Sequence, residues 1–193
     1  MRHSISALLP LLLTFGVPLF AASGSPPPAH EVTVFVGTYT TGASTSKGIY
    51  RMRLNLDTGK LSDPEVAAET VSPSYITLDP KKPLLYAANE VSRFQDKPGG
   101  GVSAFSIAKD GSLKPLNQQG SGGSGPCYVA VDRNGTRVLV ANYGSGSVAS
   151  LPIESSGKLK PASATVQHEG SSVDPNRQKG PHAHSINLSL IHI

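Results

Sequence analysis

The chain repeats itself, and the period of the repeat decides what it can fold into. Residues 72–90, SPSYITLDPKKPLLYAANE, and residues 125–143, GPCYVAVDRNGTRVLVANY, align over their whole length. Pro73 and Pro126, Tyr75 and Tyr128, Asp79 and Asp132, and Asn89 and Asn142 each lie 53 positions apart. A Gly-led apolar stretch follows each one, GVSAFSI (101–107) and GSVASLPI (146–153). Next comes a polar turn carrying a leucine, KDGSLKPL (109–116) and SSGKLKPA (155–162). An earlier copy, TVFVGTY (33–39), GIYRMRL (48–54) and LDTGKLSDP (56–64), lacks the first stretch. GPHAHSINLS (180–189) opens a further copy.

A complete copy holds four short apolar stretches, in the second near 74–79, 83–88, 101–107 and 114–119. Asp57-Thr58-Gly59, Asp110-Gly111 and Asn134-Gly135 provide the reversals between strands. The run VLVA (138–141) is apolar at every position, as a strand covered on both faces requires. Gly 20 and Pro 16 among 193 residues, with no Trp, suit short strands and tight turns rather than helices. Four-stranded sheets recurring every ~45–55 residues are the mark of β-propeller blades. The expected class is therefore all-β, a β-propeller of about three blades. So short an arc leaves apolar faces and strand edges in water, so the chain is expected to be a truncated part of a ring.

The expected organisation is a signal peptide at 1–23, a Pro-rich linker at 24–31, a partial propeller at 32–187 and a non-native tail at 188–193. The first segment has Arg2 and His3, an apolar run to Phe20 broken by Pro10, Gly16 and Pro18, and small residues at 21–23. That pattern predicts export to the periplasm or exterior, with no stable membrane insertion after cleavage. The tail, LSLIHI, reads like a translated transposon-end adapter, so His192 is given no role. The net charge of +4 is scattered, and only Lys81 and Lys82 adjoin, which argues against a nucleic-acid partner. Cys127, the single cysteine, excludes an internal disulfide and is expected to be a buried structural thiol.

In a propeller, the loops joining second to third strands, and one blade to the next, crowd one face around the central channel. Here those loops are the long ones: YTTGASTSKG (39–48), EVSRFQDKPGGG (90–101) and HEGSSVDPNRQKG (168–180). His182 and His184 follow the longest, two apart on an expected innermost strand, so both should face the channel mouth. An imidazole there can act as general base or donate to an oxyanion; hydrogen bonding at the blade junction is the structural alternative. A metal needs a third ligand that the sequence does not place, so neither metal nor cofactor is assigned.

Asn89 and Asn142, with Thr38 at the equivalent place, either cap a turn in each blade or line a ligand pocket. Tyr39 and Glu90 come next, vary between copies, and are the stronger candidates for substrate contact. Arg93, Lys97, Arg177 and Lys179 lie in the same loops, either solvated or available to an anionic substrate. GSGGSGP (120–126) lacks a Lys-Ser/Thr ending and precedes a strand, so it is not a phosphate cradle. The triplet Asn134-Gly-Thr is expected to be a hairpin turn.

Five segments in order, VFVGTYT (34–40), GIYRMRLNLDTGKL (48–61), PSYITLDPKKPLLYAANE (73–90), GGVSAFSIAKDGSLKPL (100–116) and GPHAHSINLS (180–189), resemble the lactonase family of seven-bladed β-propellers. That family includes propeller-type bacterial 6-phosphogluconolactonases and fungal carboxy-muconate cyclases. The resemblance covers blades 1–3 and the start of blade 4. It implies hydrolysis of a small sugar lactone by water attack on the ring carbonyl, with His184 and His182 as the catalytic positions and His184 the stronger for acid–base work. Partners in later blades would complete the site, so the chain alone is not expected to be active. Export argues against a phosphorylated cytosolic substrate. YVAVDRNGTRVLVANYGSGSVASL (128–151) also resembles YVTN-type propellers, which keeps a non-enzymatic surface or periplasmic binding module as the alternative. Oligomeric state is not specified.

Overall fold

The computed structural model describes residues 30–189. The expected signal peptide, most of the linker and residues 190–193 of the tail lie outside the described residues. Every regular element within them is a strand. In chain order they are β1 (Glu31–Val36), β2 (Gly48–Asn55), β3 (Glu65–Glu69), β4 (Pro73–Leu78), β5 (Leu84–Asn89), β6 (Arg93–Phe94), β7 (Lys97–Pro98), β8 (Gly101–Ile107), β9 (Leu113–Gly120), β10 (Pro126–Val131), β11 (Arg137–Asn142), β12 (Ser147–Pro152) and β13 (Ala164–Gln167).

They form antiparallel meanders: a three-stranded sheet β1-β2-β3, and four-stranded sheets β4-β5-β8-β9 and β10-β11-β12-β13. Among the described residues the earliest copy has three strands, and the two full copies have four each. The pair β6-β7 is a small hairpin within the long loop after β5. Gly59, Gly111, Gly135 and Gly157 hold φ of 70, 81, 68 and 87°, so the tight reversals fall where the sequence places them. Asp132 braces its turn by accepting from the Thr136 and Arg137 amides at 2.6 and 2.9 Å. Burial pushes its carboxyl up, but those hydrogen bonds outweigh burial and hold it below the usual carboxylate range.

The core lies between blades. Along β5, Leu84, Tyr86 and Ala88 pack with Val129, Val138, Val140 and Leu151 of the third sheet. The alternate residues Leu85 and Ala87 pack with Phe105, Leu113 and Ile49, joining the second sheet to the first. Both parities of a second strand are therefore buried, which is why LLYAAN and VLVA show no polar alternation. Each fully buried Val, Leu or Ile contributes about 1.5–3 kcal/mol. Polar contacts fix the relative position of the blades: Asn117 exchanges two hydrogen bonds with the Leu159 backbone, at 2.8 and 2.9 Å. At the inner edge, the Tyr75 and Tyr128 rings meet with centroids 4.5 Å apart.

Asn89 and Asn142 end the second strands and are fully buried. Asn89 donates to the Thr70 hydroxyl at 3.0 Å and the Val71 carbonyl at 2.6 Å, and accepts from the Ser103 hydroxyl at 2.6 Å. Asn142 donates to the Ser121 carbonyl and the Ser147 hydroxyl, both at 3.2 Å, but its buried Oδ1 has no partner. The repeat explains the difference. Ser103 pairs with Ala87, two before Asn89; Ala149 pairs with Val140, two before Asn142. An alanine thus stands where the second sheet carries a hydroxyl. Ala149→Ser is expected to satisfy Oδ1 and stabilise the protein by about 1 kcal/mol, measured as a raised midpoint in denaturant unfolding.

Residues 180–189 do not form the expected strand. Their counterparts β4 and β10 are held by β5 and β11 of their own sheets. A strand exists only with a hydrogen-bonding neighbour, and residues 180–189 join none of the sheets formed by the described residues.

Candidate functional site

Two β-bulges begin the site. Pairing shifts register between Pro73 and Tyr75, and again between Pro126 and Tyr128, leaving Ser74 and Cys127 as extra residues at the same place in consecutive blades. A bulge re-aims the side chain it carries. Ser74 and Cys127 enter the wall of a cleft of about 290 Å³, whose other lining residues are Tyr39, Glu90, Tyr143 and His184. Tyr39, Glu90 and Tyr143 are themselves equivalent in the repeat, following Thr38, Asn89 and Asn142; the two asparagines end β5 and β11, and Thr38 lies two residues past the end of β1. One repeat position supplies three walls and another supplies two.

Glu90 organises this cleft. Its Oε2 accepts from the Tyr39 hydroxyl at 2.9 Å and the Ser74 hydroxyl at 2.5 Å, so three segments of chain meet on one carboxylate oxygen. Burial, and then the hydrogen bond and charge of Glu90, push the Tyr39 phenol above its ordinary range. Among the described residues, Glu90 Oε1 takes no protein hydrogen bond.

Cys127 is not the buried structural thiol that its position beside Pro126 suggests. It is half-buried in the cleft, with Sγ 3.6 Å from the Ala183 carbonyl and 3.7 Å from the His184 carbonyl. The bulge is the reason, because it turns the side chain out of the sheet packing. Burial and the Glu90 carboxylate push its thiol up, disfavouring the thiolate. Alkylation of this single thiol is expected to be slower than that of a free cysteine at neutral pH, with its rise displaced to higher pH. Labelling rates across the neutral-to-alkaline range, read by mass spectrometry, check this.

The two histidines part company. His182 stacks on Tyr143, centroids 4.4 Å apart and planes at 17°. Its Nδ1 lies 2.9 Å from the Tyr143 carbonyl and its Nε2 3.2 Å from the Arg177 carbonyl. Each ring nitrogen thus faces a backbone carbonyl oxygen, and the ring lines a separate cleft with Glu169, Ser172 and Gln178. His184 meets Tyr143 edge-on, centroids 5.8 Å apart at 89°, and lines the Glu90 cleft. The expectation that both face the same way depended on strand alternation, and no strand forms here to impose it.

Of the residues singled out from the sequence, Tyr39, Glu90 and His184 come together in one cleft. His182 sits behind Tyr143, and Asn89 and Asn142 lie beneath as buried braces. Arg93 donates to the Asp96 carbonyl at 2.9 Å within its own hairpin, and neither it nor Lys97, Arg177 or Lys179 lines the cleft. Ser74, Cys127 and Tyr143 went unassigned as site residues. Superposing the repeats would have found Tyr143 as the counterpart of Tyr39 and Glu90. Among the described residues no three His, Cys, Asp or Glu side chains gather as a metal site would need. The cleft offers a fixed carboxylate, three hydroxyls, a thiol and an imidazole, a set suited to a polyhydroxylated small molecule and to moving a proton.

Residues 33–190 match the family described as lactonase, 7-bladed β-propeller. A 6-phosphogluconolactonase of Bacillus subtilis is 36% identical over 159 residues, covering 82% of this chain and 43% of the relative. The solved periplasmic gluconolactonase of Pseudomonas aeruginosa superposes with a TM-score of 0.76 at 32% identity, covering 83% of this chain and 45% of that one. A Bacteroides fragilis structure is 40% identical with a TM-score of 0.72, covering 82% and 42%. The chain spans less than half the length of the relatives it matches. Sheets repeating from one blade to the next, loops gathered over their inner ends and a match running from β1 through His184 make one case: the chain belongs to the seven-bladed β-propeller lactonases.

Proposed function

We propose that the complete protein hydrolyses a small sugar lactone in the Glu90–His184 cleft. The observation that carries this reading is the meeting of the His184 imidazole and the Glu90 carboxylate in one cleft, in a chain belonging to this family. His184 draws a proton from water, and the water oxygen attacks the ring carbonyl. The tetrahedral oxyanion then collapses, the bond from the carbonyl carbon to the ring oxygen breaks, and the ring oxygen leaves with a proton as the new hydroxyl. The product is the open-chain hydroxy acid. The steps use side chains alone.

His182 is a positioning residue on this reading: its stack on Tyr143 and its contact with Arg177 tie the 168–180 loop to the cleft. Later blades supply the remaining walls, so the activity belongs to the complete ring and not to these 193 residues alone. Export from the cytoplasm, drawn from the N-terminal pattern, is part of the same proposal.

The test is to follow acid release from gluconolactone by the purified full-length protein at constant pH. Opening faster than in buffer supports the reading. Saturable binding without acceleration overturns it in favour of a binding module.

A further inference from the structure

We propose that Ser72 is a positioning residue for the cleft carboxylate, holding Glu90, Ser74 and the segment that carries Tyr39 on one buried backbone point. This rests on the lactonase reading and adds a residue to its machinery.

The backbone supplies the first argument. Ser72 has no exposed surface and a φ of 37°, in the left-handed region that strains any residue bearing a side chain. Its carbonyl oxygen accepts from the Ser74 amide at 2.8 Å and from the Glu90 amide at 2.9 Å. Those two residues meet again through their side chains, at Glu90 Oε2. The Ser72 amide donates to the Thr40 hydroxyl at 2.9 Å. Its own hydroxyl accepts from the Thr40 amide at 3.3 Å and lies 3.4 Å from the Thr41 hydroxyl. Thr40 follows Tyr39, whose phenol is the other donor to Oε2. Ser72 therefore ties together, from below, the three segments that converge on one carboxylate oxygen.

The repeat supplies the second. The counterpart of Ser72, 53 positions on, is Gly125 at a φ of 58°. The Gly125 carbonyl accepts from the Tyr143 amide at 2.8 Å, as that of Ser72 does from Glu90. The position needs a left-handed backbone, which glycine adopts freely. Beneath Tyr143 the repeat keeps the glycine; beneath Glu90 it carries a serine, strained and held by the Thr40 and Thr41 side chains. Strain of this kind persists only where the surroundings over-determine it, and it concentrates at functional sites. Rigidity is what the serine adds: its carbonyl cannot swing, so the carboxylate is fixed before a ligand arrives. A fixed carboxylate accepts hydrogen bonds from substrate hydroxyls, so the effect falls on binding.

The test is Ser72→Gly in the full-length protein, with gluconolactone as substrate. Glycine leaves the backbone path open while removing both the strain and the hydroxyl. The variant is expected to melt no earlier than the wild type. Its KM should rise about three- to tenfold, the usual contribution of one intramolecular hydrogen bond, with kcat held within about twofold. A residue with a structural role alone gives a different pattern, an earlier melt and a smaller active fraction, read as a lower kcat at unchanged KM. That pattern, or unchanged constants in a folded variant, overturns the proposal and leaves the lactonase reading standing. If the full-length protein opens no lactone, the function reading fails, and alkylation of Cys127, which shares the cleft with Glu90, decides the matter. Loosening Glu90 should then move the pH at which alkylation rises towards that of Glu90→Gln; a Ser72→Gly profile identical to the wild type overturns the inference.

Discussion

His184→Ala in the full-length protein is expected to lower kcat/KM for lactone opening by about 10²- to 10⁴-fold, the usual contribution of a positioned general base. Most of the loss should fall on kcat, because the groups that hold the substrate, Glu90 with Tyr39 and Ser74, are untouched. The imidazole is solvent-exposed, so its removal leaves folding stability within about 0.5 kcal/mol. Tyr143 keeps its His182 stack, and the cleft wall stays in place. Steady-state kinetics with a thermal melt decide the matter: an unchanged rate in a well-folded variant removes His184 from the mechanism.

Gly146→Ala should come close to that loss without touching a side chain of the cleft. Gly146 lies in the turn from β11 to β12 with φ at 65°, the left-handed region that alanine enters at a cost of about 1 kcal/mol. A Cβ there would collide with the Pro181 carbonyl oxygen, one residue before His182. The turn cannot yield easily, since its backbone bonds Asn142 at 2.9 Å and His168 at 3.1 Å. The segment bearing His182 and His184 must therefore move. A displacement of about 1 Å at a reacting group costs roughly 10²-fold in rate, while stability falls by about 1–3 kcal/mol. Measured together, kcat/KM and the unfolding midpoint separate this from general unfolding. Full activity in Gly146→Ala would show that residues 181–184 do not rest on this turn.

These two variants probe different sources of the site. His184, Tyr39 and Glu90 could be named from the sequence, because repeat position and loop length place them at the inner ends of the blades. The contribution of Gly146 could not be named, because it arises where a loop lies across a distant turn. Likewise Asn89 and Asn142 had two readings from the sequence, cap or pocket wall. Burial decides between them, since a side chain with no exposed surface cannot touch a ligand without rearrangement.

The amino-acid order by itself determined the strands of the three sheets, though not the absence of one at 180–189, together with the reversals and the blade architecture, because each rests on local physics. Side chains alternate along a strand, glycines permit the tight turns, and a run apolar at both parities demands cover on both faces. Tertiary structure alone decided which side chains share a cleft. Whether Ser74 and Cys127 point into the sheet or out of it depends on the pairing register of β4 with β5 and of β10 with β11, which a bulge shifts by one residue. Where the two imidazoles point depends on Tyr143 and the turn beneath Pro181, contacts made across about 40 residues of chain that no local pattern encodes.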